Sequence, residues 1–117
     1  MANATGKAGE EYTVQWLKKH GYSILVRNYH SRFGEIDIIA RDAQYIVFVE
    51  VKTRKSNTMV SSLEAVSQRK QQKILLTAQQ YLVCYPSKLQ PRFDVAAVTS
   101  LGDELFGLKY YSNAFGC

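Results

Sequence analysis

Two carboxylates and a lysine stand out because they lie in neighbouring apolar stretches that are typical of β-strands. Asp37 falls within Gly34–Ala40, and Glu50 and Lys52 fall at the end of Tyr45–Lys52. Residues 41–44 form a turn between the two stretches. If the strands pair as a hairpin around it, Asp37 approaches Glu50 near one end of the sheet, with Lys52 one step further along.

Strand alternation predicts which residues share a face, because successive side chains point to opposite sides of a sheet. Glu35 is expected on the face of Asp37, where it is an ordinary strand charge, a residue that supports the site ligands or an alternative ligand itself. Lys52 is expected on the face of Glu50. The opposite faces carry apolar residues: Ile36 and Ile38 in the first strand, and Val47, Val49 and Val51 in the second.

Adjacent acids at the edge of an apolar core repel each other, so one of them takes up a proton unless a cation lies between them. A site with oxygen ligands and no His or Cys favours Mg²⁺ or Mn²⁺ over zinc. A neighbouring lysine can neutralise charge on a phosphorus centre or help to deprotonate water. Asp37, Glu50 and Lys52 therefore suit phosphodiester hydrolysis, and the simpler alternative is a pair of solvated strand-edge acids.

The elements around these residues follow from apolar spacing, caps and turns. A first helix is expected over Gly9–His20, followed by three strands in a meander over Ser23–Asn28, Gly34–Ala40 and Tyr45–Lys52. On helical spacing Glu10 lies above Val14 and Leu17, so it should point towards the sheet, where a carboxylate needs a reason.

The second half of the chain predicts one long helix and two more strands. The helix is expected over 61–85, with Ser61 and Glu64 in the form of a capping box and Cys84 in the core. Strands are expected over Arg92–Thr99 and Glu104–Tyr110. The order αβββαββ places a crossover helix between the third and fourth strands, which predicts an α/β fold with a mixed sheet.

Length and composition are consistent with one domain over residues 1–117, with 46% hydrophobic and 21% charged residues. No apolar run approaches the roughly 20 residues of a membrane-spanning helix. The first residues lack the apolar core of a signal peptide, and the two cysteines, Cys84 and Cys117, form no disulfide framework. A cytoplasmic location without membrane association is expected.

The positive charge is regional. The chain carries a formal charge of +5, yet residues 51–90 hold seven basic residues against one acid, a local balance of +6. Such a region favours a polyanionic partner, nucleic acid before membrane, although the charge could serve solubility alone. Lys70 lies on the apolar stripe of the long helix, so it either snorkels to solvent or reaches the cleft. The candidate nucleic-acid-binding residues are Arg32, Arg54, Lys55, Arg69, Lys70 and Lys73.

A series of motifs along the whole chain supports the interpretation of Asp37, Glu50 and Lys52 as a hydrolytic site. Asp37, twelve further residues and then Glu50-Val51-Lys52 resemble the D…(D/E)-x-K signature of the restriction-endonuclease-like superfamily. With them come Gly9-Glu10, Arg27-Asn28, Gly34-Glu35-Ile36-Asp37-Ile38-Ile39-Ala40, Phe48-Val49-Glu50-Val51-Lys52-Thr53-Arg54, Glu64-Ala65-Val66, Lys70, Tyr81-Leu82, Arg92-Phe93-Asp94-Val95 and Asn113-Ala114-Phe115. This ordered series resembles the YraN family of small bacterial proteins over nearly the whole chain.

The resemblance implies a restriction-endonuclease-like three-layer core, similar to archaeal Holliday-junction resolvases. It implies that Asp37, Glu50 and the Val51 carbonyl hold Mg²⁺ or Mn²⁺, that Lys52 is the catalytic lysine, and that Glu10 joins the site from the first helix. The expected function is metal-dependent hydrolysis of DNA, with branched or junction DNA as a candidate substrate and a homodimer as a plausible assembly. The alternative is a nucleic-acid-binding module or adaptor that keeps the fold without turnover.

Overall fold

One five-stranded sheet connects all the strands that the structure describes. The computed structural model describes residues 4–55, 66–100 and 106–116. In chain order the elements are α1 (Ala4–Lys19), β1 (Ser23–Ser31), β2 (Gly34–Arg41), β3 (Tyr45–Lys55), α2 (Gln68–Cys84), β4 (Gln90–Ser100) and β5 (Phe106–Phe115). Neither described helix is long and apolar enough to cross a membrane.

The sheet has the order β1-β2-β3-β4-β5, in which only the β3–β4 pair is parallel. Parallel neighbours need a crossover, and α2 lies in that connection. The β2–β3 turn is closed by Asp42, whose Oδ1 accepts hydrogen bonds from the backbone N–H groups of Gln44 and Tyr45 at 2.9 and 2.7 Å. The predicted mixed α/β fold and the order αβββαββ are confirmed.

The two helices cover opposite faces of the sheet. Val14 and Leu17 of α1 pack in one buried cluster with Val47 and Val49 of β3. A second buried cluster contains Ile74, Ala78 and Tyr81 of α2 together with Ile46, Phe48 and Val95 of the sheet. Each face of the central strand therefore has its own helix, which accounts for the nearly continuous apolar sequence of β3.

The alternation predicted for β2 is wrong at one point. Ile36 packs in the α2 cluster, whereas Ile38 packs in the α1 cluster, so the two residues do not share a face. The change of face falls at Asp37, just beyond Ile38↔Val49, where the β2–β3 pairing stops. A strand released from its ladder is free to rotate, and β2 separates from β3 at this point.

Several element boundaries also differ from the sequence prediction. α1 begins at Ala4 and not at Gly9, because Gly9 lies inside the helix at a contact with β3. α2 begins at Gln68, since Ser67 is its N-cap and accepts a hydrogen bond from the Lys70 N–H; the predicted capping box at Ser61 and Glu64 lies outside the described residues. β3 continues to Lys55, and β5 extends to Phe115.

Cys84 is exposed and not part of the core as predicted. The buried residues of α2 are Ile74, Thr77, Ala78 and Tyr81. Cys84 lies in the last turn, where the ring of Tyr85 packs against Tyr81 with centroids 4.9 Å apart. An exposed helix end explains the difference, because apolar spacing alone does not show where a helix leaves the sheet.

An ion pair between a partly exposed arginine and a fully buried aspartate lies at the start of β4. Asp94 is 0% exposed and accepts hydrogen bonds from the guanidinium of Arg92, the hydroxyl of Tyr110 and the backbone N–H of Asn113. Arg92 also donates to the Tyr22 hydroxyl at 2.6 Å, and its guanidinium lies over the Tyr45 ring. A buried charge with this many partners is well satisfied.

Removing one partner from this pair should destabilise the protein. We expect Asp94→Ala to lower the free energy of unfolding by about 3–5 kcal/mol, because Arg92 would keep a buried charge without a counter-ion. Urea unfolding measures the change. Glu11→Ala is the matched control, since Glu11 forms a 3.1 Å ion pair with Arg27 at the surface and should cost less than about 1 kcal/mol. Equal losses in both variants would contradict the prediction.

Candidate active site

Asp37 and Glu50 meet where β2 separates from β3. Glu50 points to the α2 face of β3 and is only 5% exposed. Asp37 Oδ2 accepts a hydrogen bond from the Val51 N–H at 2.8 Å, so a side chain occupies the place of a missing ladder partner. The two carboxyl groups lie close enough for each to shift the pKa of the other. The predicted approach of Asp37 to Glu50 is therefore present in the structure.

Both acids of this pair are held in an environment that disfavours their charge. Burial, followed by the proximity of Asp37, raises the pKa of Glu50 from its usual value near 4.5 to about 7. Burial also raises the pKa of Asp37, and the Val51 N–H opposes that shift. Two such groups in contact share a proton near neutral pH unless a cation neutralises them.

Two lysines approach the same oxygen of Glu50 from different elements. Lys52 Nζ of β3 lies 3.4 Å from Glu50 Oε2, and Lys70 Nζ of α2 lies 3.8 Å from it. Both ammonium groups lower the pKa of Glu50, but they do not offset its burial. Of the two alternatives for Lys70, the structure shows the one in which the side chain reaches the cleft.

Glu10 approaches the pair from the other side of the sheet. Its half-buried side chain lines a cavity of about 310 Å³ together with Asp37, Val51 and Thr53. Burial and the nearby Asp37 raise the pKa of Glu10, whereas Arg27 and a hydrogen bond with Asn28 lower it. The inward orientation expected from helical spacing thus brings a third carboxylate near Asp37.

A glycine sets the distance between α1 and β3 at this cavity. A Cβ at Gly9 would lie 2.1 Å from Thr53 Oγ1, which is closer than real atoms approach. The helix therefore packs directly on the strand one residue before Glu10. This close approach fixes where the Glu10 carboxylate enters the cavity.

Residues 9–98 match the profile described as "Uncharacterised protein family UPF0102". The chain belongs to this family. A UPF0102 protein of Legionella pneumophila (strain Philadelphia 1) is 36% identical, with complete coverage of both chains. A UPF0102 protein of Clostridium botulinum (strain Hall) is 44% identical over 94% of this chain and 92% of its own length. The resemblance to the YraN family is confirmed.

In this UPF0102 protein the predicted basic residues divide into separate groups. Arg54 and Lys55 line the cavity with Glu10 and Asp37, and Lys70 contacts Glu50. Arg69 instead lines a second depression with Gln68, Gln71, Gln72, Leu75 and Gly116. Lys73 packs near Gly34, and exposed Arg32 lies with its guanidinium over the Phe33 ring. The site therefore has adjacent basic residues on both sides of the sheet.

Some residues of the site were not singled out for a role from sequence. Thr53 and Gly6 line the cavity, and Asn28 contacts Glu10. Asn28 has a φ of 54°, an unusual backbone conformation within a strand. Glu35, by contrast, is exposed and pairs with His30 at 3.1 Å, so it acts on Asp37 only through its charge. A sequence signal that could have indicated the cavity is the pair Gly6 and Gly9, three residues apart in α1.

The donor set fits a hard divalent cation. Asp37 and Glu50 offer two carboxylates, and the Val51 carbonyl is close in sequence, while the described residues contain no cluster of three or more His, Cys, Asp or Glu side chains. Mg²⁺ is commonly held by one or two carboxylates, with water and substrate phosphate completing its shell. The raised pKa values of both acids show that their charged forms are disfavoured, and a bound cation would favour those charged forms instead.

The carboxyl pair predicts an unusual pH dependence of stability. Between pH 4.5 and 7 the folded protein binds more protons at Glu50 than the unfolded chain does, so the free energy of unfolding falls as pH rises through this window. Across this window the free energy of unfolding of the wild type should fall by up to about 3 kcal/mol relative to that of Glu50→Gln, whose amide cannot ionise.

Urea unfolding in EDTA at several pH values measures this difference. Glu35→Gln is the control, because Glu35 is an exposed acid of the neighbouring strand and its removal should leave the pH dependence nearly unchanged. If the free energy of unfolding of the wild type changed with pH in parallel with that of Glu50→Gln, the carboxyl pair would ionise without loss of stability and the prediction would be contradicted.

Proposed function

We propose that this UPF0102 protein is a Mg²⁺- or Mn²⁺-dependent nuclease that hydrolyses phosphodiester bonds in DNA. The observation that carries the proposal is the buried contact of Asp37 with Glu50 and the 3.4 Å approach of Lys52 to the same site. Structural acids are normally matched by donors, as Asp94 is. The Asp37–Glu50 pair keeps a raised pKa despite two neighbouring lysines, which supports a site prepared for a further cation.

Each side chain has a role that its environment supports. Asp37 and Glu50 would hold the cation with the Val51 carbonyl, and the bound cation would polarise the phosphate and lower the pKa of water. Lys52 places a positive charge where a phosphate would gain negative charge during hydrolysis. Glu10, whose raised pKa favours proton uptake, would accept or orient the proton of an attacking water.

DNA is the proposed substrate because basic residues surround the carboxylates. Arg54 and Lys55 line the cavity with Glu10, and Lys52 and Lys70 lie beside Glu50 on the α2 side. A phosphate backbone that crosses the end of the sheet would meet positive charge before and after the acidic pair. Branched and four-way DNA remain the first substrates to test, as the similarity to junction resolvases implies.

One observation favours a second candidate, a nucleic-acid-binding module without turnover. Lys52 and Lys70 both lie within 4 Å of Glu50, so part of its charge is balanced by the protein itself. In that case the lysines would stabilise the fold and attract nucleic acid, and no cation would be needed. The two experiments below separate the candidates.

The first experiment concerns the cation. Adding Mg²⁺ or Mn²⁺ should raise the Tm, since a ligand that binds the folded state stabilises it by about 1.4 kcal/mol at ten times its Kd, equivalent to several degrees. Asp37→Asn should abolish most of this increment, whereas Glu35→Gln should retain it. Thermal unfolding curves that do not respond to millimolar metal would remove the metal site from the proposal.

The second experiment concerns turnover. Single-stranded, duplex, flap and four-way-junction DNA should be incubated with Mg²⁺ or Mn²⁺, and we expect the wild type to cleave at least one of them and Asp37→Ala none. Lys52→Ala should lower single-turnover cleavage at saturating protein by about two orders of magnitude or more, while DNA affinity changes by less than about tenfold.

Lys88→Ala, a change at an exposed loop lysine, is the control and should behave as the wild type. Binding without cleavage of any substrate under either metal would favour the binding module. Loss of DNA affinity in Lys52→Ala equal to the loss of cleavage would assign that lysine to binding alone.

A further inference from the structure

Arg54 has a polar group without a partner. Its Nε is shielded from solvent and forms no hydrogen bond in the part of the chain that the structure describes. Within the same described ranges its guanidinium forms no ion pair with a carboxylate, although Arg92 and Arg27 do. A shielded donor of a charged group is normally satisfied, so an unpaired one leaves the Arg54 guanidinium uncommitted among the described residues.

The position of Arg54 indicates what kind of acceptor this is. Arg54 lines the cavity of about 310 Å³ that also contains Glu10, Asp37, Thr53 and Lys55. The two acids and the two basic residues balance each other within the cavity, yet Arg54 does not pair with either acid. An anion brought in next to the carboxylates would need such an uncommitted guanidinium.

The spacing along β3 relates Arg54 to the proposed catalytic lysine. Lys52 and Arg54 are two residues apart in one strand, which separates their Cα atoms by about 6.6 Å at 3.3 Å per residue. Successive phosphates of a nucleic-acid strand are separated by a similar distance. One strand of substrate could therefore place adjacent phosphates at these two side chains.

We propose that Arg54 forms a dedicated binding site for the backbone phosphate next to the one that is cleaved. The inference rests on the proposed function, and it adds that the cavity recognises the sugar-phosphate backbone at a fixed step from the reaction centre. Arg54 would donate from Nε and one terminal nitrogen to two oxygens of a single phosphate, a geometry that a lysine ammonium cannot reproduce.

The test asks whether binding needs the planar guanidinium of Arg54 or only its positive charge. The probes are a short fluorescein-labelled oligothymidylate and a labelled four-way junction, with affinity measured by fluorescence anisotropy in Ca²⁺. Arg54→Gln should weaken binding of at least one probe by about tenfold or more and lower the slope of log affinity against log salt by about one. Arg54→Lys should recover less than half of the lost free energy. Lys88→Gln, at an exposed loop lysine outside the site, should weaken binding by less than about threefold.

Three outcomes would overturn the phosphate site: full recovery in Arg54→Lys, equal losses in Arg54→Gln and Lys88→Gln, or a wild type that binds neither probe. Tm values of all variants exclude unfolding as the cause, and Arg54→Lys keeps the charge and the aliphatic stem if Arg54→Gln is unstable. If the wild type binds with this Arg54 dependence but cleaves no DNA, the nuclease proposal fails and the phosphate site stands. If it cleaves while Arg54→Lys binds as the wild type, the phosphate site alone fails.

Discussion

The repulsion between two buried carboxylates is the constraint around which the rest of the site is arranged. The β2–β3 pairing ends at Ile38↔Val49, one residue short of Asp37 and Glu50, so these two acids lie where the strands separate. The Val51 N–H donates to Asp37 and fixes it in place. Their pKa values rise because water cannot reach them freely and each lies beside the other. The lysines, the third carboxylate and the cavity are all positioned relative to this unfavourable contact.

Comparison with the second buried acid of the protein shows why the pair is distinctive. Asp94 is completely inaccessible, yet a guanidinium, a hydroxyl and a backbone N–H surround it, and its role in holding β4 and β5 is sufficient to explain it. Glu50 has almost the same burial, but among the described residues its cationic partners are two ammonium groups at 3.4 and 3.8 Å, and it also lies beside the Asp37 carboxyl group. Burial alone therefore does not mark a functional acid, whereas burial without adequate partners does.

Sequence alone gave correct expectations where the physics is local. The strand order, the parallel β3–β4 pair and the common face of Glu50 and Lys52 follow from alternation and from the length of the crossover. The change of face between Ile36 and Ile38 could not be read in this way, since it depends on where the ladder between two strands stops. The start of α1 was misplaced because Gly9 was taken as a boundary, although its lack of a side chain serves packing. Alternation and the expected hairpin brought Asp37, Glu50 and Lys52 together, and helical spacing turned Glu10 inward, but only the ordered family motifs assigned Glu10 to the same site.

The contact of Gly9 with Thr53 has a consequence for how this sequence can change. A substitution that adds a side chain at position 9 moves α1 away from β3, and Glu10, the next residue, moves with it. Positions 9 and 53 are therefore coupled, because a larger residue at position 9 needs a smaller one at position 53. A substitution that leaves the core of the protein intact can therefore still displace the Glu10 carboxylate relative to Asp37, because a helix shift of an ångström is enough to change that distance.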